Sequence, residues 1–138
     1  WQLALDLLRC MPGLQLGPDV ISCNTAISAL EKGAQWQLAV ALFLSIPGLR
    51  LVPDVIGCNS AISACEKGAQ WQVALALFCS MPELRLVPDA ISCNAAISAC
   101  EKGTEWQLAL MLLCSMPELR LRPDAISCNA AISACEKG

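Results

Sequence analysis

Residues 90–124 read AISCNAAISACEKGTEWQLALMLLCSMPELRLRPD, and 26 of these 35 positions carry the same residue in segment 55–89. The similarity extends in both directions along the chain. Tryptophan, the pair Pro-Asp and the triplet Glu-Lys-Gly each recur every 35 residues. The tryptophans are Trp1, Trp36, Trp71 and Trp106. A fixed period of this length indicates a chain built from repeated structural units.

Each unit carries the signals of two helices. Asp19 follows a proline and precedes an apolar run, which predicts an N-cap and a first helix over about 20–32. We expect Gly33 to supply a left-handed stop after this helix. A second helix is predicted from near Trp36 to just before Pro47, because the residue preceding a proline disfavours the α conformation.

The period divides the chain into three full repeats and two partial ones. The full repeats span 20–54, 55–89 and 90–124, with the second half of a repeat at 1–19 and the first helix of a truncated repeat at 125–138. Because the unit is cut at both ends, we expect an interior fragment of a longer protein.

The helices carry apolar residues around most of their circumference, so a single pair cannot bury its surface. Stacked neighbours can, and we therefore predict an all-α fold, a right-handed α-solenoid of antiparallel helix-turn-helix repeats with a concave inner face. The uncapped ends of such an array should be adhesive.

The composition bounds the function. The chain is 56% hydrophobic and 15% charged, which is enough to bury a core. Its net charge is −3, whereas a general nucleic-acid binder is usually basic. Nucleic-acid binding would therefore depend on a local row of suitable residues and not on the overall charge. The longest charge-free stretch, 33–49, contains a proline and is shorter than the roughly 20 residues of a membrane span.

Ten cysteines invite a metal or disulfide interpretation, but the chain has no Cys-x-x-Cys and no histidine. Cysteines seven residues apart on a helix are separated by about 10 Å of rise, too far to share a zinc ion. We interpret them as small apolar core positions in a reducing compartment, and we expect no metal and no cofactor. With no histidine and no phosphate-binding glycine loop, we expect no enzyme activity.

An asparagine recurs one turn into each first helix. These residues are Asn24, Asn59, Asn94 and Asn129. An amide among apolar residues is costly unless it is paired, and two interpretations are open. Each amide could bond a backbone carbonyl of the next repeat, or it could line a groove and contact a ligand as both donor and acceptor. The Asp that closes each repeat precedes the next first helix, so Asn and Asp recur as a ladder.

Basic residues and tryptophans also form columns. Lysines end the first helices at Lys32, Lys67, Lys102 and Lys137, and arginines lie in the loops at Arg50, Arg85 and Arg120. Such a row could track phosphates, or it could be an ordinary solvated helix end. The tryptophans could stack on bases, but packing between repeats is the favoured interpretation.

The sequence resembles the pentatricopeptide repeat family over its whole length. The resemblance rests on the 35-residue period, on VISCNTAISA at 20–29 and AISCNAAISA at 90–99, on WQVALALFCSM at 71–81, and on the closing Pro-Asp pairs. The tetratricopeptide repeat, the nearest alternative, has a 34-residue period and a different spacing of Trp, Gly and Tyr.

The chain departs from the family pattern in two columns. Cysteine replaces the usual tyrosine at Cys23, Cys58, Cys93 and Cys128, and a second proline follows each second helix at Pro47, Pro82 and Pro117. Both changes could alter the curvature of the array and the spacing of a bound ligand.

The resemblance implies binding of single-stranded RNA, one base per repeat. In that family, the polar residue early in the first helix and the residue ending the repeat select the base together. Carried over, the pairs are Asn24 with Asp54, Asn59 with Asp89 and Asn94 with Asp124, with Asn129 beginning a fourth. Asn with Asp implies a preference for uracil. The aliphatic residues that would sandwich the bases are Ile21, Ile56, Ile91 and Ile126, and the lysine column would lie near phosphates.

The resemblance also implies a setting. Such proteins act in RNA processing, stability or translation in chloroplasts or mitochondria. We expect single-stranded RNA as the partner, no duplex DNA and no membrane, and further proteins bound through the rest of a larger chain. The alternative is a protein-interaction scaffold of the tetratricopeptide type, which the acidic balance favours. Three repeats alone should bind RNA weakly.

Overall fold

A computed structural model describes residues 1–138 as an all-helical chain, which confirms the predicted fold class. The α-helices are α1 (Gln2–Cys10), α2 (Val20–Lys32), α3 (Trp36–Ser45), α4 (Val55–Lys67), α5 (Trp71–Ser80), α6 (Ala90–Lys102), α7 (Trp106–Ser115) and α8 (Ala125–Lys137). Short 3₁₀ turns follow α1 and α3, at Met11–Leu14 and Pro47–Leu49. The right-handed twist of the solenoid stays a prediction.

An aspartate caps every first helix. A carboxylate oxygen of Asp19 accepts a hydrogen bond from the backbone N–H of Ser22 at 2.7 Å. The Ser22 hydroxyl in turn accepts from the backbone N–H of Asp19 at 2.9 Å, and the same reciprocal box begins α6 and α8. Helix α4 lacks the box because Gly57 replaces the serine. Each aspartate cap stabilises its helix by about 1 kcal/mol. The first helices begin directly after these aspartates, as the sequence predicted.

The predicted left-handed stop at Gly33 is wrong. Gly33 has φ −84°, and the left-handed residue is Ala34, with φ 52°. The glycine at this position instead leaves space for a tryptophan. At the equivalent position of the next repeat, a Cβ at Gly68 would overlap the indole of Trp36. Each tryptophan therefore packs on the glycine that ends the next first helix. The Trp column joins neighbouring repeats, as the favoured interpretation had it.

The helices form two layers. First helices α2, α4, α6 and α8 each contact the next along the array. Each of α3, α5 and α7 packs against the first helix of its own repeat and the first helix of the following one. The core between the layers is built from large side chains such as Phe43, Ile62 and Ile97, with alanines such as Ala74 that allow close helix approach. No helix has the length and apolar character that crossing a membrane would need.

Five of the cysteines lie in this core, as predicted. They are Cys23, Cys58, Cys65, Cys93 and Cys100. Burial raises the pKa of the Cys58 thiol to about 12 and that of the Cys65 thiol to about 11, so both stay neutral. The core interpretation is wrong for Cys10, Cys79, Cys114 and Cys135, which are exposed.

Candidate nucleic-acid interface

Each asparagine of the ladder lies against the aspartate that caps the next first helix. The amide nitrogen of Asn24 donates to both carboxylate oxygens of Asp54, at 2.8 and 2.9 Å. Asn59 and Asp89 form the same contact at 3.1 and 3.3 Å, as do Asn94 and Asp124 at 3.3 and 3.1 Å. The structure thus brings together the three pairs named from the sequence. Asn129, on the last helix, has no such aspartate in the chain.

The contact differs from the first of the two interpretations that the sequence left open. The amide bonds a side-chain carboxylate of the next repeat and not a backbone carbonyl. Its own oxygen is buried without a hydrogen-bond partner in Asn24, Asn59 and Asn94. A buried acceptor of this kind costs about 1–3 kcal/mol when it stays unpaired. Each pair therefore combines an Asn–Asp hydrogen bond with one buried, unpaired amide oxygen.

Two predicted sandwiching residues flank the first of these pairs. A cavity of about 480 Å³ between the first two full repeats is lined by Ile21, Ile56, Asn24, Asp54 and Lys32, together with small polar and alanine side chains. Its size is in the range of small-ligand sites. Three kinds of predicted site residue therefore meet in one cavity.

The isoleucines form an exposed row along the first helices. Ile21, Ile56, Ile91 and Ile126 are 74%, 66%, 65% and 63% exposed. A single exposed isoleucine is ordinary, whereas one per repeat at a constant position makes an ordered apolar surface. Flat apolar groups could insert between successive members of this row.

The lysine column is mostly engaged in ion pairs. Lys67 lies 2.8 Å from Glu31, Lys102 lies 2.8 Å from Glu66, and Lys137 lies 2.7 Å from Glu101. Lys32, in the cavity, forms no salt bridge. Sequence reasoning missed this glutamate column, because each pair joins residues 36 positions apart in neighbouring repeats. The only visible signal was the recurrence of Glu beside Lys at each helix end.

Serine hydroxyls also bond two of these three glutamates. Ser63 donates to Glu31 at 3.1 Å, and Ser133 donates to Glu101 at 2.7 Å. The hydrogen bonds from Lys137 and Ser133 lower the pKa of Glu101 below its usual range. The layer of first helices thus carries a row of Glu–Lys ion pairs as well as the Asn–Asp row.

The pentatricopeptide repeat profile matches residues 57–86 and 91–121. These two segments are therefore similar to pentatricopeptide repeats. The crystal structure of the pentatricopeptide repeat protein PPR10 from maize superimposes on 96% of this chain with a TM-score of 0.81 and 20% sequence identity. The chain spans 19% of the length of the maize protein. No curated protein matches the chain in sequence.

One position that differs between the repeats lies against an Asn–Asp pair. The third residue of the first helix is serine in α2, α6 and α8, and it is Gly57 in α4. A Cβ at Gly57 would overlap the amide oxygen of Asn24. The Asn24–Asp54 contact is the shortest of the three pairs, and it lies at this glycine. The residue three positions after the aspartate therefore shapes the pair, which the sequence pattern did not reveal.

Proposed function

We propose that the array binds single-stranded RNA along its first-helix face, one base per repeat. The observation that carries the proposal is the recurring unit of one Asn–Asp pair between two exposed isoleucines. The match of the pentatricopeptide repeat profile to two segments of the chain supports the same activity. Because this unit recurs at each joint, an extended strand could pass from repeat to repeat in a constant arrangement.

The chemistry of the pair favours uracil over cytosine and adenine. The pairing edge of uracil presents an N–H donor between two carbonyl acceptors. A carboxylate oxygen of Asp54 could accept from that N–H, while the amide nitrogen of Asn24 could donate to a carbonyl. Cytosine and adenine present a ring nitrogen acceptor at the same place, and this acceptor would face the carboxylate. Ile21 and Ile56 would cover the two faces of the base.

The base contacts and the available lysines limit the expected affinity of the chain for RNA. Contacts of this kind contribute about 1–3 kcal/mol per base. Association costs about 4–15 kcal/mol, so three complete pairs support only weak binding. Lys32 is available to a phosphate, whereas the other lysines would have to leave their glutamates. We propose that strong binding comes from further repeats of a larger protein, acting in RNA processing, stability or translation in chloroplasts or mitochondria.

Titration of the chain with fluorescent oligo-U, oligo-C, oligo-A and oligo-G at low salt tests the proposal. Oligo-U should bind most tightly. Asn59→Thr should move one position of the preferred sequence toward guanine, as the family pattern implies. The matched control is Gln72→Thr, which should leave the preference unchanged because Gln72 is an exposed amide on the second helix of the same repeat. Equal binding of all four oligonucleotides would rule out base recognition by these pairs.

A second function has one observation in its favour. The inner face carries Asp54, Asp89 and Asp124 while three of its four lysines are neutralised by glutamates. A basic extended peptide would suit this surface as a scaffold ligand. Competition between an oligo-lysine peptide and oligo-U separates the two functions. If the chain recognises RNA, oligo-U should bind in the absence of the peptide, and the chain should bind oligo-U more tightly than oligo-A.

A further inference from the structure

Three Asn–Asp pairs join the first helices of neighbouring repeats, and one position beside these pairs varies. The first joint is the contact of α2 with α4, the second joint that of α4 with α6, and the third joint that of α6 with α8. The residue three positions after the closing aspartate is Gly57 at the first joint, Ser92 at the second and Ser127 at the third. The asparagine, the aspartate and the flanking isoleucines are the same at every joint. The residues named from the family resemblance therefore assign the same base to all three.

Gly57 gives the amide of Asn24 space that the other joints lack. A Cβ at Gly57 would overlap the amide oxygen of Asn24 and would lie 3.3 Å from the amide carbon. The amide nitrogen of Asn24 lies 2.8 and 2.9 Å from the two carboxylate oxygens of Asp54. These distances are 3.1 and 3.3 Å at the second joint and 3.3 and 3.1 Å at the third, where a serine brings a Cβ to this place. The pair beside the glycine is therefore the most closely held.

The serine also places a hydroxyl beside the carboxylate. Oγ of Ser92 lies 3.2 Å from Oδ1 of Asp89, within reach to donate to it, and the third joint has the same contact. The carboxylate of Asp54 accepts only from the amide of Asn24 and from the backbone N–H of Gly57. A base without an N–H at this edge therefore leaves Asp89 with a hydroxyl donor at hand, whereas Asp54 depends on the base for any further donor.

We propose that the residue three positions after the closing aspartate is a positioning residue that sets how strictly each joint selects uracil, and that Gly57 makes the first joint the most selective. The proposal rests on the proposed function, in which the carboxylate accepts from the N–H of uracil. Cytosine turns a ring-nitrogen acceptor toward the carboxylate instead. At the first joint the closely held pair meets this acceptor with no hydroxyl to relieve the carboxylate. At the other joints a looser pair and a serine hydroxyl lower the cost of cytosine.

The dissociation constant for oligo-C divided by that for oligo-U of equal length measures this selectivity. Both bases have a single ring, so the isoleucines should cover them alike. Gly57→Ser should lower the ratio by roughly twofold to tenfold, the range that one hydrogen bond gives. Ser92→Gly should raise the ratio by a similar factor. A change in stability alone would weaken the binding of both oligonucleotides equally and would leave the ratio unchanged.

Combining the two changes tests whether the glycine acts in the same way at either joint. The double variant Gly57→Ser, Ser92→Gly again has one glycine joint, so its ratio should return close to that of the wild type. Ser45→Gly is the control, because Ser45 is exposed on α3 and donates only to the backbone carbonyl of Leu42. Helix α4 begins at its aspartate without a serine, so Ser92→Gly should leave α6 folded, which circular dichroism checks.

The outcomes separate this proposal from the proposed function. A wild type that prefers oligo-U, with a ratio that neither single variant shifts, would overturn the role of this position and leave uracil recognition standing. A double variant that keeps the ratio of Gly57→Ser would also overturn it, because the glycine would then act at the first joint alone. A wild type that binds oligo-U no more tightly than oligo-C would refute uracil recognition and this proposal together.

Discussion

The amide nitrogen of Asn24 lies 2.8 Å and 2.9 Å from the two carboxylate oxygens of Asp54, thirty residues further along the chain. Asp54 also accepts from the backbone N–H of Gly57 at 2.9 Å, so one side chain caps a helix and binds the neighbouring repeat. Each helix start is thus coupled to the joint between repeats, and a change in the cap should move the Asn–Asp pair.

Gly57→Ser tests this coupling. The serine hydroxyl should accept from the backbone N–H of Asp54, as Ser22 does for Asp19, and its Cβ should displace the amide of Asn24. We expect the two N–O distances to lengthen toward the 3.1 and 3.3 Å of the Asn59–Asp89 pair. A high-resolution crystal structure measures them, with the Asn94–Asp124 pair as an internal reference. An unmoved Asn24 would show that the cap does not control the pair.

Glu66→Gln should strengthen RNA binding if the proposed function is correct. The change releases Lys102, which lies 2.8 Å from Glu66, for contact with a phosphate. Each phosphate contact on a single strand adds about 0.7 to the slope of log affinity against log salt concentration. Titrations at several salt concentrations measure this slope. Glu118→Gln removes an equal charge from an exposed loop, and it should change the slope less than Glu66→Gln does.

Gly68→Ala should destabilise the array, since the new Cβ would overlap the indole of Trp36. Overpacking of this kind costs about 1–3 kcal/mol. The neighbouring change Ala69→Gly should stabilise it by about 1 kcal/mol or less, because Ala69 holds a φ of 53° that glycine adopts without strain. Urea unfolding compares the two variants. A midpoint that shifts the same way in both would contradict the role assigned to each residue.

The exposed cysteines should react with a maleimide reagent well before the core cysteines. Cys10, Cys79, Cys114 and Cys135 are exposed, whereas burial raises the pKa of Cys93 and Cys100 to about 11 and leaves them protonated. Mass spectrometry of native protein at low concentration, labelled for increasing times, should show this order. Labelling of Cys58 as fast as Cys79 would contradict the packing of the core.

Acid should destabilise the array through its carboxylates. Hydrogen bonds from Ser22 lower the pKa of Asp19, those from Ser127 lower the pKa of Asp124, and those from Lys137 and Ser133 lower the pKa of Glu101. A lowered folded-state pKa stabilises the fold above the unfolded-state value, and this contribution disappears as the pH falls through the folded-state value. The melting temperature should therefore decrease as the pH is lowered below about 4.

Asp19→Asn isolates one part of this acid effect. Asparagine keeps an N-cap acceptor and removes the titrating carboxyl, so the variant should lose less stability than the wild type between neutral and acidic pH. Melting curves at both pH values measure the difference. An equal loss in both proteins would show that the Asp19 cap contributes nothing to acid sensitivity.

Local features of the sequence determined the helices and the candidate pairs. Asp19 before an apolar run and Pro47 after one were enough to place α2 and α3, because caps and prolines act on their own few residues. The period then paired Asn24 with Asp54 by resemblance to the family. The same local reasoning misplaced the left-handed residue, assigning it to Gly33 when Ala34 adopts it.

The stacking of repeats decided what the sequence could not. It placed Lys67 on Glu31, an ion pair that the sequence pattern did not predict. It packed Trp36 against Gly68. This contact explains why a glycine stands at a position where the backbone φ does not require one. Contacts of this kind join residues 30 to 36 positions apart, and they depend on the distance and angle between neighbouring helices. The period of a sequence shows which residues recur, whereas only the packed helices determine which of them meet.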